Sequence, residues 1–411
     1  MSHDRPFARA DFRMLFLVLF VTAAGNTALQ SVLPAIGREL EIPDVAIAAI
    51  FSVSALMWTL SSPFWARQSD KRGRKKLVLL GMSGYLVSTA FCALVILGGL
   101  VGILGPLLIV ILFAAFRSLF GLFGSASNPA AQAYVAVRTD RSRRTGALAV
   151  LASAFGLGTI VGPALAPFFI FPFVELSGPL FAFTAIALVT IILVQRYLPR
   201  DDPAEIERLR VAGEGRKRLS WFDPRIRPFV LYGLVAGNMQ AVLSQTLGFH
   251  IIDSTALPPT EAQTFIGLAM MAGAGATLLA QWGLISMFGM EPRDLCRWGA
   301  VMALAGTATM IFSTDFYAIT LSFALAMLGY GFARPGFSAG ASLAVDIEDQ
   351  GAAAGTVSAV NGASFILAPT VGVALYQLYE PLPYILSAAV LAVMTIYTLR
   401  SRAISGAAES A

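Results

Sequence analysis

Apolar residues run through this chain in twelve long blocks, each separated from the next by a short polar or glycine-rich turn. The first six blocks cover Phe12–Ile36, Ala46–Ala66, Leu77–Leu97, Leu104–Tyr134, Thr145–Phe168 and Phe173–Leu198. The second six cover Pro228–Ile252, Ala262–Phe288, Leu295–Phe312, Phe316–Gly340, Ala352–Tyr376 and Pro383–Leu399. A helix needs about 20 apolar residues to cross roughly 30 Å of hydrocarbon, and each block approaches or exceeds that length. The pattern predicts an all-α polytopic membrane protein of twelve spans. The first block is too long for a signal peptide and eleven others follow it, so it reads as span 1.

Composition sharpens this reading. Of 411 residues, 57% are apolar and only 13% are charged, whereas a soluble domain carries about 25% charged residues. A soluble fold, a disordered chain and a disulfide scaffold are all excluded, and the two cysteines, Cys92 and Cys296, both lie inside apolar blocks. The net charge of +5 does not mark a nucleic-acid surface, because the basic residues sit in the turns. With both termini on one side, 26 of the 29 basic residues fall on that side. The other side holds only Arg38, together with eight acidic residues from Glu39 to Glu380. The positive-inside rule then places both termini in the cytoplasm of an inner (plasma) membrane.

The polar connector Pro199–Pro224 has mixed charge, with Asp201, Asp202, Glu205, Arg216, Lys217 and Arg218, and reads as a solvated linker. It divides the chain into an N-terminal six-helix bundle over 1–198, a cytoplasmic linker over 199–225 and a C-terminal bundle over 226–411. The halves echo one another. Ala24-Gly25-Asn26 in span 1 recurs as Ala236-Gly237-Asn238 in span 7, and Pro129 in span 4 has a counterpart in Pro335 of span 10. Two pseudo-symmetric six-helix repeats are a common architecture of secondary transporters, with the substrate site near the midplane between them.

Three short stretches carry further information. The turn after span 2 reads Ala66-Arg67-Gln68-Ser69-Asp70-Lys71-Arg72-Gly73-Arg74-Lys75-Lys76. Gly73 permits a tight turn, the basic residues suit anionic lipid headgroups, and Asp70 suits the unpaired amides at a helix N-terminus. In span 5, Gly158 and Gly162 lie four apart and make a smooth face for a neighbouring helix, and Pro163 can bend the helix. Span 4 contributes Arg117 and Gly121. The Asp70–Gly73–Arg74 turn resembles the cytoplasmic signature of the major facilitator superfamily. Gly158, Gly162 and Pro163 resemble the span 5 motif of its drug–proton antiporter branch, and Arg117 with Gly121 resembles that branch's span 4 motif. The resemblance implies alternating access, with the Asp70 turn as a cytoplasmic gate.

Arg117 stands mid-span, where an unpaired charge costs about 2.5–3.5 kcal/mol, so it should face the bundle interior. The resemblance gives it a role in coupling or helix register; direct pairing with an anionic substrate is the alternative. Arg334 in span 10 either snorkels or pairs with Asp346, Glu348 or Asp349. No Asp or Glu stands centrally in any span, so the proton coupling that the resemblance implies leaves His250, Asp253 three residues on and Glu175 as candidates. An interfacial His and a solvated loop Asp are the alternative reading. Asn26 and Gln30 share a face of span 1, and Asn238 and Gln245 share a face of span 7. Ser54, Trp58 and Ser61 align on span 2, and Asn361 with Phe365 on span 11. With Met270 and Met271 these residues would line a cavity for an amphiphilic organic molecule, although interhelical hydrogen bonding explains any one of them equally well.

The expectation is a transporter, not an enzyme: a carrier exporting amphiphilic small molecules, such as drugs or secreted metabolites, in exchange for protons. An organic-anion uptake or exchange carrier built on Arg117, and a lipid-handling protein on the same scaffold, are the alternatives. No metal-ligand cluster, phosphate loop or nucleophile–base arrangement appears, and no cofactor is expected. The expected partners are a small-molecule substrate, protons and membrane lipids, with no nucleic acid, and the protein is expected to be a monomer.

Overall fold

The computed structural model describes residues 9–139, 141–199, 201, 220–346, 349–401 and 404. The described residues are helical almost throughout, with one isolated bridge between Phe171 and Glu175 as the sole β-type pairing among them. In the first half, α1 is Arg9–Glu39, α2 is Asp44–Arg72 and α3 is Arg74–Leu100. Helix α4 begins as Pro106–Leu119, passes through a π-helical turn at Phe120–Gly124 and resumes as Ser127–Arg138. Helix α5, Arg141–Leu165, ends in a 3₁₀ turn at Ala166–Phe169, and α6 is Gly178–Tyr197. In the second half, α7 is Arg227–Thr255, and α8 runs from Pro259–Leu278 through a π turn at Leu279–Leu284 to Ile285–Phe288. Helices α9 and α10 are Pro292–Met310 and Phe316–Leu343, α11 comprises Gln350–Ala363 and Ala368–Leu378, and α12 is Leu382–Arg400. The twelve apolar blocks therefore each become a helix. Nine of them, among the described residues, are long and apolar enough to cross a membrane.

Local chemistry fixes several of the ends. Proline stands in the first turn of α4, α6, α7, α8, α9 and α12, where its missing N–H removes no helical bond. Asp315 caps α10 by accepting from the amides of Tyr317 and Ala318. Glu291 and Asp294 form a reciprocal capping box at α9. Gly73 breaks α2 from α3 at φ 91°, a backbone state that glycine reaches without strain.

The chain divides into two compact units. Of the described residues, those within 1–32 and 53–215 form unit 1, and those within 33–52 and 216–411 form unit 2. The end of α1 and the start of α2 thus belong with the C-terminal helices: a Cβ on Gly248 of α7 would press into Pro34, and the Ser52 hydroxyl lies 2.7 Å from that of Thr370 on α11.

Each unit is held by close backbone approach at small residues. In unit 1 a side chain on Gly158 would meet the Phe20 carbonyl at 2.6 Å, and one on Gly162 would collide with the Ala24 carbonyl, so α5 lies directly on α1. Gly81 and Gly84 bring α3 against Ser127 and Phe123 of α4. In unit 2, α9 and α10 interlock along a ladder in which Gly299 faces Ala333, Gly329 faces Ala303 and Gly306 faces Ala326. Lipid supplies no hydrophobic drive between helices, so van der Waals contact at such positions does most of the work of association.

Gly162→Leu should therefore destabilise unit 1, by roughly 1–3 kcal/mol as overpacking does, and lower the thermal midpoint of the purified protein. Gly355 has open space where its Cβ would stand, so Gly355→Ala should leave the midpoint unchanged or raise it slightly. Equal effects of the two substitutions would show that the α1–α5 contact is not tight.

Candidate functional site

The polar interior of unit 1 is built around Arg117. Its guanidinium is buried, with 3% exposure, and donates from Nη2 to Oδ1 of Asn26 on α1. The Phe120 ring lies beneath it, 4.4 Å from Cζ, and Phe120 in turn packs against Trp58 at 5.3 Å and against Tyr85 at 5.5 Å. A cation on an aromatic face gains electrostatically, and the gain grows as water is excluded.

The π turn that follows Arg117 explains a second set of contacts. A wider turn displaces backbone carbonyls from the regular ladder and leaves them available to side chains. The Ser61 hydroxyl donates to the Gly121 carbonyl at 3.0 Å and lies 2.8 Å from the Ser125 hydroxyl, and Trp65 Nε1 donates to the Leu122 carbonyl. Ser54 donates to the Arg117 carbonyl at 3.2 Å. The Ser54–Trp58–Ser61 face of α2 is thus a seam against α4, the interhelical alternative to a cavity lining. Gln30 is half-buried one turn beyond Asn26.

In unit 2, Asn238 donates from Nδ2 to the Leu234 carbonyl of its own helix, and Gln245 is buried. Gly237, the counterpart of Gly25, allows close contact with Ser364, while Gly25 allows contact with Tyr85. Asn361 is half-buried at the end of the first segment of α11, and Phe365 is exposed in the break after it, so the two do not share a continuous helix. Met270 and Met271 on α8 are half-buried.

The expected coupling residues come together only in part. His250 is buried and its Nε2 lies 3.0 Å from the Ser313 carbonyl, so Nε2 carries the hydrogen and Nδ1 is left as a buried acceptor with no hydrogen-bond partner among the described residues. Asp253 does not touch it. Tyr376 of α11 stands between them, its ring edge-on to His250 at 6.0 Å and its hydroxyl donating to Asp253 Oδ2 at 2.9 Å. Asp253 Oδ2 also accepts from Arg38 Nη2 at 3.1 Å. Arg38 is held by both oxygens of Asp44, at 2.9 Å each. Arg38, Glu41, Asp44, Asp253, Tyr376 and Glu380 line an open cavity of about 720 Å³. Glu175 is exposed in the turn before α6, at φ 44°.

The Asp70–Gly73–Arg74 turn differs from expectation. Arg72 and Lys76 are exposed, as headgroup contact requires, but Arg74 and Lys75 are buried. The Lys75 ammonium donates to the carbonyls of Gln195 and Leu198 at the end of α6, completing unsatisfied C-terminal acceptors. The Lys75 amide donates to Asp201 at 2.9 Å, and Arg138 pairs with the same carboxylate at 3.3 Å. The Asp70 side chain lies outside the described residues, as does connector sequence 202–219. Arg334 is exposed, and two of the acids expected to pair with it, Asp346 and Asp349, lie instead against Arg225, at 3.9 and 3.0 Å; the third, Glu348, lies outside the described residues. Arg225 also holds the Asp223 carboxyl below the ordinary carboxylate range through direct hydrogen bonds.

Sequence reasoning missed Tyr376, which reads as one more aromatic residue near the end of an apolar block, and Asp201, which is hidden in a mixed-charge linker. Arg38 carried a signal: it is the one basic residue on its side of the chain, and an acid follows six positions later.

Comparison with known proteins adds to this geometry. A family model described as Major Facilitator Superfamily matches residues 15–293. Multidrug resistance protein 2 of Bacillus subtilis is 23% identical over 393 residues, covering 93% of this chain and 92% of that one. The staphyloferrin B transporter of Staphylococcus aureus is 30% identical over 162 residues, covering 38% of this chain and 36% of its own. Among solved structures, a bacterial homologue of the human lysosomal transporter Spinster superposes with a TM-score of 0.75 at 12% identity, over 98% of both chains.

The Arg117 cluster predicts non-additive energetics. Asn26→Leu removes an acceptor from a buried cation and should destabilise the purified protein by roughly 1–3 kcal/mol. Removing both polar groups in Asn26→Leu/Arg117→Met should cost less than the sum of the single changes. Thermal or denaturant unfolding checks this, and strict additivity would show that the two side chains do not interact.

Proposed function

The chain belongs to the major facilitator superfamily, and from that premise we propose that it exports amphiphilic small organic molecules across the plasma membrane in exchange for protons. It is a multi-pass membrane protein that carries a small-molecule substrate. The finer reading rests on one observation: similarity to a multidrug resistance protein runs along nearly the whole length of both chains. Transport proceeds by alternating access, and both termini lie in the cytoplasm, where the basic turns of the chain belong.

Two features of the helices support the reading. The buried Nδ1 of His250 is an unused proton acceptor, packed beside Tyr376 whose hydroxyl donates to Asp253, which gives a membrane protein without mid-span carboxylates a place to take up a proton. The close burial of Arg117 against Asn26 and Phe120 favours a role in helix register over direct contact with an anionic substrate.

Purified protein in proteoliposomes with an imposed pH gradient and an internal pH-sensitive dye tests the proposal. Tetraphenylphosphonium, a neutral hydrophobic drug and an organic anion are added in turn. Substrate-triggered proton movement is expected, reduced at least about tenfold in His250→Ala or Asp253→Asn, since a proton carrier is lost outright in each. Full gradient-driven transport by both variants would remove these residues from coupling. Substrate flux with no proton movement would overturn the exchange itself.

A further inference from the structure

Arg334 is the feature that the proposed function leaves unused. It lies well inside α10, is exposed although protein crowds around it, and makes no hydrogen bond or ion pair among the described residues. Two of the acids nearest in sequence are engaged by Arg225. Helix α10 itself contains no Asp or Glu.

Snorkelling does not account for it. From Arg334 to Leu343 the helix rises roughly 14 Å, about twice the reach of an extended arginine, and helical side chains lean toward the N-terminus, away from that end. Nor does the residue point to lipid. Its neighbours one turn away on the same face are engaged with other helices: Phe337 fills the space above Gly233 of α7, and Gly331 lies against Thr277 and Ala280 of α8. Two turns back on that face, the Met327 carbonyl accepts from the Thr277 hydroxyl at 3.1 Å, and the Gln240 amide of α7 lies 3.9 Å from the Met327 sulfur. Arg334 thus lies on the side of α10 that faces α7 and α8, and it is exposed there. Pro335 adds to this, because it withholds the amide that would bond the Gly331 carbonyl and leaves that acceptor on the same face.

We propose that Arg334 receives the anionic head of the transported amphiphile, a carboxylate, sulfonate or phosphate, while the apolar body lies along Met327 toward Gln240. The guanidinium stays charged at every physiological pH and presents a planar fork that matches such groups with two parallel hydrogen bonds. With no counter-charge in α10, the same residue repels lipophilic cations. From Arg334 to Met327 the helix rises about 10 Å, the span of a medium-length apolar chain. The assignment rests on the transport reading and names its substrate class.

The test uses full-length protein in nanodiscs, titrated by calorimetry with two probes of equal tail, N-lauroylglycine and dodecyltrimethylammonium, below their micellar concentrations. The difference between wild type and variant cancels partition into lipid. Wild type is expected to bind N-lauroylglycine, and Arg334→Ala to weaken it by roughly tenfold or more, as loss of a charge-assisted bidentate contact does. Arg334→Lys keeps the charge and loses the fork, so it should bind with intermediate affinity at an unchanged melting temperature; it carries the test if the alanine variant does not fold. Dodecyltrimethylammonium should bind as well or better to Arg334→Ala than to wild type. Equal N-lauroylglycine affinity in wild type and both variants overturns the proposal, as does binding of the cation alone. Arg334-dependent binding of N-lauroylglycine without transport in proteoliposomes would uphold the site and overturn the transport reading instead.

Discussion

Helices in hydrocarbon attract one another only as far as their surfaces fit, and each unit here depends on backbones brought within direct contact. Gly158 and Gly162 lay α5 on the carbonyls of α1, and the Gly299–Ala333, Ala303–Gly329 and Gly306–Ala326 pairs do the same for α9 and α10. A methyl group at any of these glycines would occupy the neighbour's space. Everything polar is arranged within that frame: Asn26 reaches Arg117 because α1 is pinned by α5 one turn away, and Tyr232 reaches the Cys296 carbonyl at 2.8 Å beside the Gly299 contact.

Much of the fold was legible because the signal is physical and repetitive. The length of an apolar block is set by bilayer thickness, so twelve blocks became twelve helices with ends displaced by only a few residues. Close approach at Gly158 and Gly162 was legible for the same reason, since four-residue spacing places both on one face. The π turns in α4 and α8 were not, because an extra residue in a helical turn leaves no mark in hydropathy; the α4 turn is sustained by tertiary donors, Ser61 and Trp65. The grouping of 33–52 with the C-terminal helices also escaped, since connectivity alone assigns them to the first half.

The site was legible in residue type more than in partnership. Ser54, Trp58 and Ser61 all meet α4, but a face does not announce in the sequence what covers it. Arg74 and Lys75 looked like headgroup ligands because their neighbours are basic. One of the two instead closes the end of α6, a role set by where α6 happens to stop. His250 and Asp253 share a helix face without touching, and Tyr376, more than 120 positions along the chain from either, links them.

Arg38 binds two carboxylates of different origin. Its two straight bonds to Asp44 come from residues six apart in the same hairpin, whereas its single bond to Asp253 reaches α7. The hairpin therefore brings its own counterion. Parting it from α7 would leave Arg38 neutralised and strand only the carboxylate of Asp253, still held by one phenol. Electrically the contact is asymmetric: the hairpin side of it is balanced within itself, and the α7 side is not.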